Sequence, residues 1–288
     1  MDPAAEVENE HLILGSLDPT SPYQMAVYFN NRGATIERIE LNNPRYQDLD
    51  DKSGYVGFMG LSDAPTGGCS VAYVAPGSPA EAAKIQPGDR IIKFGDVEVA
   101  DTAAYSIEQL KTKPGENVVI TVARANGAPQ KRTVSLVKRP LSLISPEPVP
   151  ATENDPQHQL SFLWTLGRVG NKKVGVGQSE IPGLPSLHDA NWEMKELDVA
   201  GGLGQGVEFS RRLTKAELSK VGGKVPLEMV KRYRLTPVAR TEDATKADKY
   251  GSVGYGIKLE MEIRNLGTAQ QKLAYPVSYT HLTLPTKA

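Results

Sequence analysis

The stretch Gly54-Tyr-Val-Gly-Phe-Met-Gly-Leu61 decides how this chain is read, together with Ala75-Pro-Gly-Ser-Pro-Ala-Glu-Ala-Ala83 and Gln86-Pro-Gly-Asp-Arg-Ile-Ile-Lys-Phe-Gly95 downstream of it. Glycines at 57 and 60 leave backbone N–H groups approachable where a Cβ would block them. Cys69–Val74 reads as a strand stopped by Pro76-Gly77. Ser78 then caps a short helix with Pro79 at its first position, the place where a missing N–H costs nothing. Gln86-Pro-Gly-Asp89 is a turn feeding a buried strand, Arg90–Phe94, and Gly95-Asp96 turns the chain back into Val97–Val99. Ala103 to Leu110 reads as a helix carrying Ala103, Ile107 and Leu110 on one face. Pro114-Gly115 ends that segment. Asn117–Ala123 and Arg132–Val137 are strands joined through Asn126-Gly127, a strong hairpin signal.

Working outward, Tyr23–Phe29 and Ala34–Leu41 alternate apolar and polar residues with period two, and Asn30-Asn-Arg-Gly33 between them tolerates positive φ. That pattern predicts a β-hairpin. Ser145 to Pro156 carries four prolines with few apolar anchors, which predicts an exposed linker, taken here as 141–156. Strands return at Leu160–Leu166, Trp192–Leu197, Val207–Leu213, Leu227–Leu235 and Ile257–Ile263, so the C-terminal part is expected to be an antiparallel sandwich. Ala239–Lys249, charged and alanine-rich, reads as a loop or short helix. The ending Ser278–Ala288 has the look of translated adapter read-through and is set aside as non-native.

Composition narrows function by exclusion. The 288 residues suffice for two domains of ordinary size. A formal net charge of −1 makes no electrostatic case for nucleic acid. The single cysteine, Cys69, excludes an internal disulfide framework and reads as an inert residue opening a buried strand. No run reaches the roughly eighteen apolar residues that span a bilayer, and the acidic N-terminus is not a signal peptide. The four histidines are scattered without metal-ligand spacing, so no metal and no cofactor are expected. There is no nucleophile elbow, no zinc-protease motif and no P-loop, and the chain is expected not to be an enzyme. Gly202-Leu-Gly-Gln-Gly206 imitates a phosphate loop but leads into a strand-like Val-Glu-Phe-Ser, so it reads as a turn. Arg211-Arg212 and Lys231-Arg232 read as solvated strand faces, with a weak membrane-surface role as the other reading.

The three motifs beginning at Gly54, in that order, are similar to those of a bacterial PDZ domain, assigned to residues 54–140. The resemblance implies that Tyr55, Val56, Gly57 and Phe58 form a carboxylate-binding loop. It further implies that Phe58, Met59, Gly60, Leu61 and Ser62 form the edge strand on which a peptide segment or C-terminus adds as a further strand. Ala103, Ile107 and Leu110, with Phe58 and Leu61, would wall an apolar pocket for the terminal side chain. The same apolar residues read equally as domain core, Ile107 and Leu110 above all.

The outer segments resemble the large periplasmic domain of the YidC family of membrane-protein insertases. The carriers are Tyr23-Gln-Met-Ala-Val-Tyr-Phe-Asn-Asn-Arg-Gly-Ala-Thr-Ile-Glu-Arg-Ile-Glu-Leu41, Met229-Val-Lys-Arg-Tyr-Arg-Leu235 and Tyr255-Gly-Ile-Lys-Leu-Glu-Met-Glu-Ile-Arg-Asn-Leu-Gly267. The departure is the PDZ-like insertion, and Arg45–Tyr55 is similar to the planctomycete-type form that carries one. The resemblance implies a mainly β chain: a β-supersandwich over 11–53 and 157–276, interrupted by the PDZ domain. It implies a periplasmic region of a bacterial inner-membrane protein whose full-length form is membrane-embedded. Its partners would be peptide segments or C-termini of client proteins, and translocon components. No insertase residue carries over, since the membrane segments are outside this sequence. Two other readings stay open: a regulatory portion of an HtrA-like or intramembrane protease, and a sugar-binding β-sandwich.

Overall fold

The computed structural model describes residues 7–124, 127–144, 161–198, 204–238 and 254–278. The predicted linker from Ser145, the Ala239–Lys249 segment and the tail beyond Ser278 lie outside them. The chain divides into two units, one of Met1–Leu14, Val27–Ile39 and Leu143–Ala288, the other of Gly15–Ala26 and Glu40–Ser142. It is mainly β, with several antiparallel sheets and three short helices among the described residues.

Strands β1 (His11–Gly15), β2 (Met25–Asn30) and β3 (Thr35–Leu41) open the chain, and β2 and β3 form the predicted hairpin. The alternation of β2 suggested one solvated face. In fact all six of its residues are buried, so both faces of this inner strand are covered. The second unit then builds β4 (Met59–Asp63), β5 (Cys69–Val74), α1 (Pro79–Ala82), β6 (Arg90–Phe94), β7 (Val97–Glu98), α2 (Thr102–Leu110), β8 (Asn117–Ala123) and β9 (Gln130–Ser135). These form one antiparallel sheet in the order β4-β5-β6-β8-β9, with β7 paired to β6. Ser78 accepts the Glu81 N–H and Asp101 accepts the Ala104 N–H, so both helices start on capping side chains. The core gathers Val56, Val71, Ile85, Ile91, Phe94, Tyr105, Ile120 and Val134.

The segments leading into and out of this sheet are paired at several points. The Leu41 N–H donates to Leu141 O, Gln47 bridges Pro140, the Asp48 N–H donates to Arg139 O, and Tyr55 bridges Val137. The chain then enters β10 (Ser142–Ile144), a neighbour of β3, so the stretch read as linker from 141 begins with a strand.

The first unit resumes with the short strands β11 (Leu163–Trp164), β12 (Arg168–Val169) and β13 (Lys172–Lys173). Next come β14 (Glu193–Asp198), β15 (Gln205–Leu213), α3 (Lys215–Ser219), β16 (Leu227–Leu235) and β17 (Ile257–Asn265). The short strands β18 (Leu273–Ala274) and β19 (Val277–Ser278) close the described chain. Strands β14 to β17 form an antiparallel meander, and β16 and β17 pair from Leu227–Asn265 to Leu235–Ile257 without a shift. Helix α3 was not read from the sequence, although Thr214 and Glu217 make a complete capping box.

Period-two alternation gives this sheet two unlike faces. One buries Val207, Phe209, Leu213, Met229 and Tyr233, with the Phe29 ring 5.0 Å from Tyr233. The other carries a ladder of charge. Arg232 pairs with Glu208 and Glu262, Arg264 with Glu262 and Glu228, Arg212 with Glu228, and Lys258 with Glu260. The guanidiniums of Arg264 and Arg232 hold the Glu262 carboxyl down at about 2.

Lys231 corrects the reading of Lys231-Arg232 as a solvated pair. Its place between Met229 and Tyr233 puts it on the core-facing phase, where it is fully buried. The Nζ donates to the carbonyls of Gly33, Ala34 and Phe162 and lies 5.8 Å from the Trp192 ring centre. Three acceptors match the three protons of an ammonium. No carboxylate among the described residues pairs with it, and burial pushes its pKa down to about 7 from 10.5. Between those values the unfolded chain holds the proton and the folded chain releases it, so this residue adds stability as pH rises. From pH 7 to pH 9, the urea stability of the wild type relative to Lys231→Met should grow by about 2 kcal/mol. A difference independent of pH would contradict this assignment.

Candidate functional site: a groove between β4 and α2

The loop before β4 is pinned from five directions. The Gly54 N–H donates to Thr112 O; Tyr55 and Val137 exchange both backbone hydrogen bonds. The Ala80 N–H donates to Val56 O, and the Ala75 N–H to Phe58 O. Finally, the Phe58 N–H donates to the Tyr55 hydroxyl at 2.8 Å, and that hydroxyl donates to Glu40 Oε2 at 2.8 Å. Tyr55 and Glu40 are 2% and 1% exposed, so this relay is interior. The Arg139 guanidinium lies 5.2 Å from the Tyr55 ring centre, and its Nε is 2.8 Å from Asp51. Burial raises the Asp51 pKa, but hydrogen bonds from Ser53 and the Arg139 charge outweigh it and leave the group below its usual range.

Gly57 is required by the turn itself. Its φ is +124°, and a Cβ there would stand 2.6 Å from Ser78 Cβ. The helix cap and the loop are therefore packed against each other with no room for a side chain at 57, which ties the Gly54–Leu61 stretch to Ser78 of the second motif.

Strand β4 stands at one end of the sheet order, and α2 flanks it across a groove of about 330 Å³. Tyr55, Gly57, Phe58, Met59, Gly60 and Leu61 line it, with Tyr73, Thr102, Tyr105, Ser106, Gln109 and Arg139. Of the residues singled out from the sequence, Val56 instead lies in the core. Ala103, Ile107 and Leu110 do not line the groove, and Ile107 and Leu110 are 55% and 63% exposed. The helix turns a different stripe toward the groove: Thr102, Tyr105, Ser106 and Gln109, at helical spacing. Tyr105 is the anchor of that stripe, its ring meeting Phe94 edge-on at 5.4 Å. The sequence carries a signal for this phase, since Tyr105 is the bulkiest side chain in the helix.

The groove wall is accordingly polar on the helix side. Both the N–H and the hydroxyl of Thr102 donate to Asp63, which holds that carboxyl below its usual range. The Tyr105 hydroxyl is buried without a hydrogen-bond partner among the described residues, and burial raises its pKa. Cys69 is fully buried, and burial pushes its thiol up to about 11. Among the described residues, no three His, Cys, Asp or Glu side chains gather where they could hold a metal ion. No helix among them is long and apolar enough to cross a membrane.

Residues 70–124 match the family model of the PDZ domain, and a PDZ domain is present in this chain. The match runs from β5 to the end of β8 and leaves the 54–61 loop to be assigned by geometry. Among solved structures, one similar chain is the HtrA-type protease AlgW with decapeptide, at 26% identity and a TM-score of 0.29 over 31% of this chain and 30% of that one. Another is the HtrA3 PDZ domain bound to a phage-derived ligand, at 22% identity and a TM-score of 0.25 over 32% of this chain and 88% of that one. The present chain thus spans under a third of the protease's length. No curated protein matches the sequence.

Two outcomes test these assignments. Gly57→Ala should cost about 2 kcal/mol or more in urea denaturation, from strain at positive φ plus the clash with Ser78. Cys69 should resist a thiol reagent at neutral pH in the native protein and react at once in denaturant, because only the thiolate is nucleophilic. Rapid native labelling would show that β5 opens.

Proposed function

We propose that the groove between β4 and α2 binds an extended peptide segment of a client or partner protein, which adds as a strand beside β4. The observation that carries this reading is the combination at one sheet end: an end strand, a pinned glycine loop at its start and a helix stripe facing it. Backbone hydrogen bonds to β4 would supply affinity, and the Thr102, Tyr105, Ser106 and Gln109 face would supply selectivity. On this reading the chain is non-catalytic: it binds and positions.

The wider setting we propose is the periplasmic region of a YidC-like insertase of the bacterial inner membrane. There the β unit serves as a docking platform near the translocon, and the PDZ domain engages segments of membrane proteins being inserted. Support comes from the residues that carry the resemblance, which occupy the β2–β3 hairpin and the paired strands β16 and β17. Reading the gene beyond codon 276 separates this from a protease-associated role. Hydrophobic spans there fit the insertase, whereas a protease domain on either side would overturn it.

The groove itself is tested by Ser106→Trp. Ser106 is solvent-exposed on α2 and lines the groove, so an indole there fills the groove without entering the core. Peptides selected on the wild type should lose about tenfold or more in affinity, with an unchanged urea midpoint. Unaltered affinity would place the binding surface elsewhere.

A further inference from the structure

Resting on that peptide-groove reading, we infer that this PDZ domain takes internal extended segments in preference to free C-termini, because its own Tyr55 hydroxyl, backed by Glu40, already takes the Phe58 N–H, one of the loop donors that a terminal carboxylate would use. A carboxylate entering such a loop is held by converging backbone N–H groups. Here the Phe58 N–H is donated to Tyr55 Oη, and the phenol proton goes to Glu40 Oε2, both at 2.8 Å. A hydroxyl that donates to a carboxylate is polarised into a better acceptor, so each bond of the relay strengthens the other.

Displacing this arrangement is hindered in three ways. The Tyr55 ring has little room to move: it is buried, its backbone is bridged to Val137, and Arg139 lies against it. Removing its hydroxyl from Glu40 would take a charge-assisted bond from an almost fully buried carboxylate, among the costlier bonds to leave unmade. An incoming carboxylate would also bring like charge toward Glu40. Arg139 is the cation in the groove that could favour it, but its Nε already faces Asp51 at 2.8 Å and its Nη2 donates to Ser53 Oγ. An internal segment carries no such charge. It pairs with β4 through backbone groups and leaves the relay in place.

The test uses the full 288-residue chain and one random decapeptide library made in two forms, with a free C-terminal carboxylate and with a C-terminal amide. Selected peptides are then compared pairwise by fluorescence polarisation. The expected result is that amidation changes wild-type affinity by less than about fivefold. In Tyr55→Phe, which keeps the ring and frees the Phe58 N–H, the carboxylate form should gain about tenfold over the amide, the scale of one charge-assisted hydrogen bond. Glu40→Gln, which keeps an acceptor and removes the charge, should move preference the same way by less. Loss of more than fivefold on amidation in the wild type would overturn the inference while leaving the groove intact, and so would a Tyr55→Phe variant with no gained preference. Failure of both forms to bind at all would remove the groove reading and this inference together.

Discussion

The architecture depends on one constraint: the chain that leaves at Leu41 must come back at Leu141, a strand's width away. The backbone meets this by zipping the departing and returning segments together, from Leu41–Leu141 through Gln47–Pro140 and Asp48–Arg139 to Tyr55–Val137. Closing so long a stretch costs only logarithmically more entropy than closing a short one, and the ladder of backbone bonds offsets it. The zip also sets the chemistry of the groove. Glu40 stands on the departing strand and Arg139 on the returning segment, and both act on Tyr55, at the far end of the zip. The loop that would meet a ligand is therefore built on backbone held at both its own segment and the returning one.

Much of this was legible because glycine, proline and capping residues punctuate the sequence. Pro76-Gly77, Ser78-Pro79 and Asn30 to Gly33 mark turns and helix starts by local steric rules, and the element boundaries fall within a few residues of them. The strands of the meander were likewise visible from their alternation. What local rules do not carry is the identity of a distant partner. The Glu40–Tyr55–Phe58 relay joins residues fifteen positions apart across a strand and a loop, and no pattern in either segment announces it. The facing of α2 failed differently. Helical periodicity does not fix phase: Ile107 and Leu110 suggest one buried face, whereas Tyr105 fills the core and leaves both aliphatics exposed.

Lys231 shows the same lesson in reverse. Its neighbours made the charge look like surface, while the alternation of Met229 and Tyr233 around it dictated burial. A lysine tolerated there needs acceptors converging from elsewhere, and the turn at Gly33–Ala34 and the loop at Phe162 supply them. The side chain thus ties three separate segments of the first unit to one point, as a bound cation would.

The charge ladder has a consequence for how copies of this chain meet. Strand β17 is the last in its sheet order, and a nine-residue end strand is a template for unwanted pairing. Its outward residues run Lys258, Glu260, Glu262, Arg264: plus, minus, minus, plus. That order is a palindrome. Laid antiparallel against a second copy about Met261, it sets Lys258 opposite Arg264 and Glu260 opposite Glu262, and a parallel copy in register sets each residue opposite itself. In these two registers, which pair the strand over its whole length, like charges face across the seam, which disfavours them. The signs that satisfy one another within the sheet thereby repel the same strand in a neighbouring molecule.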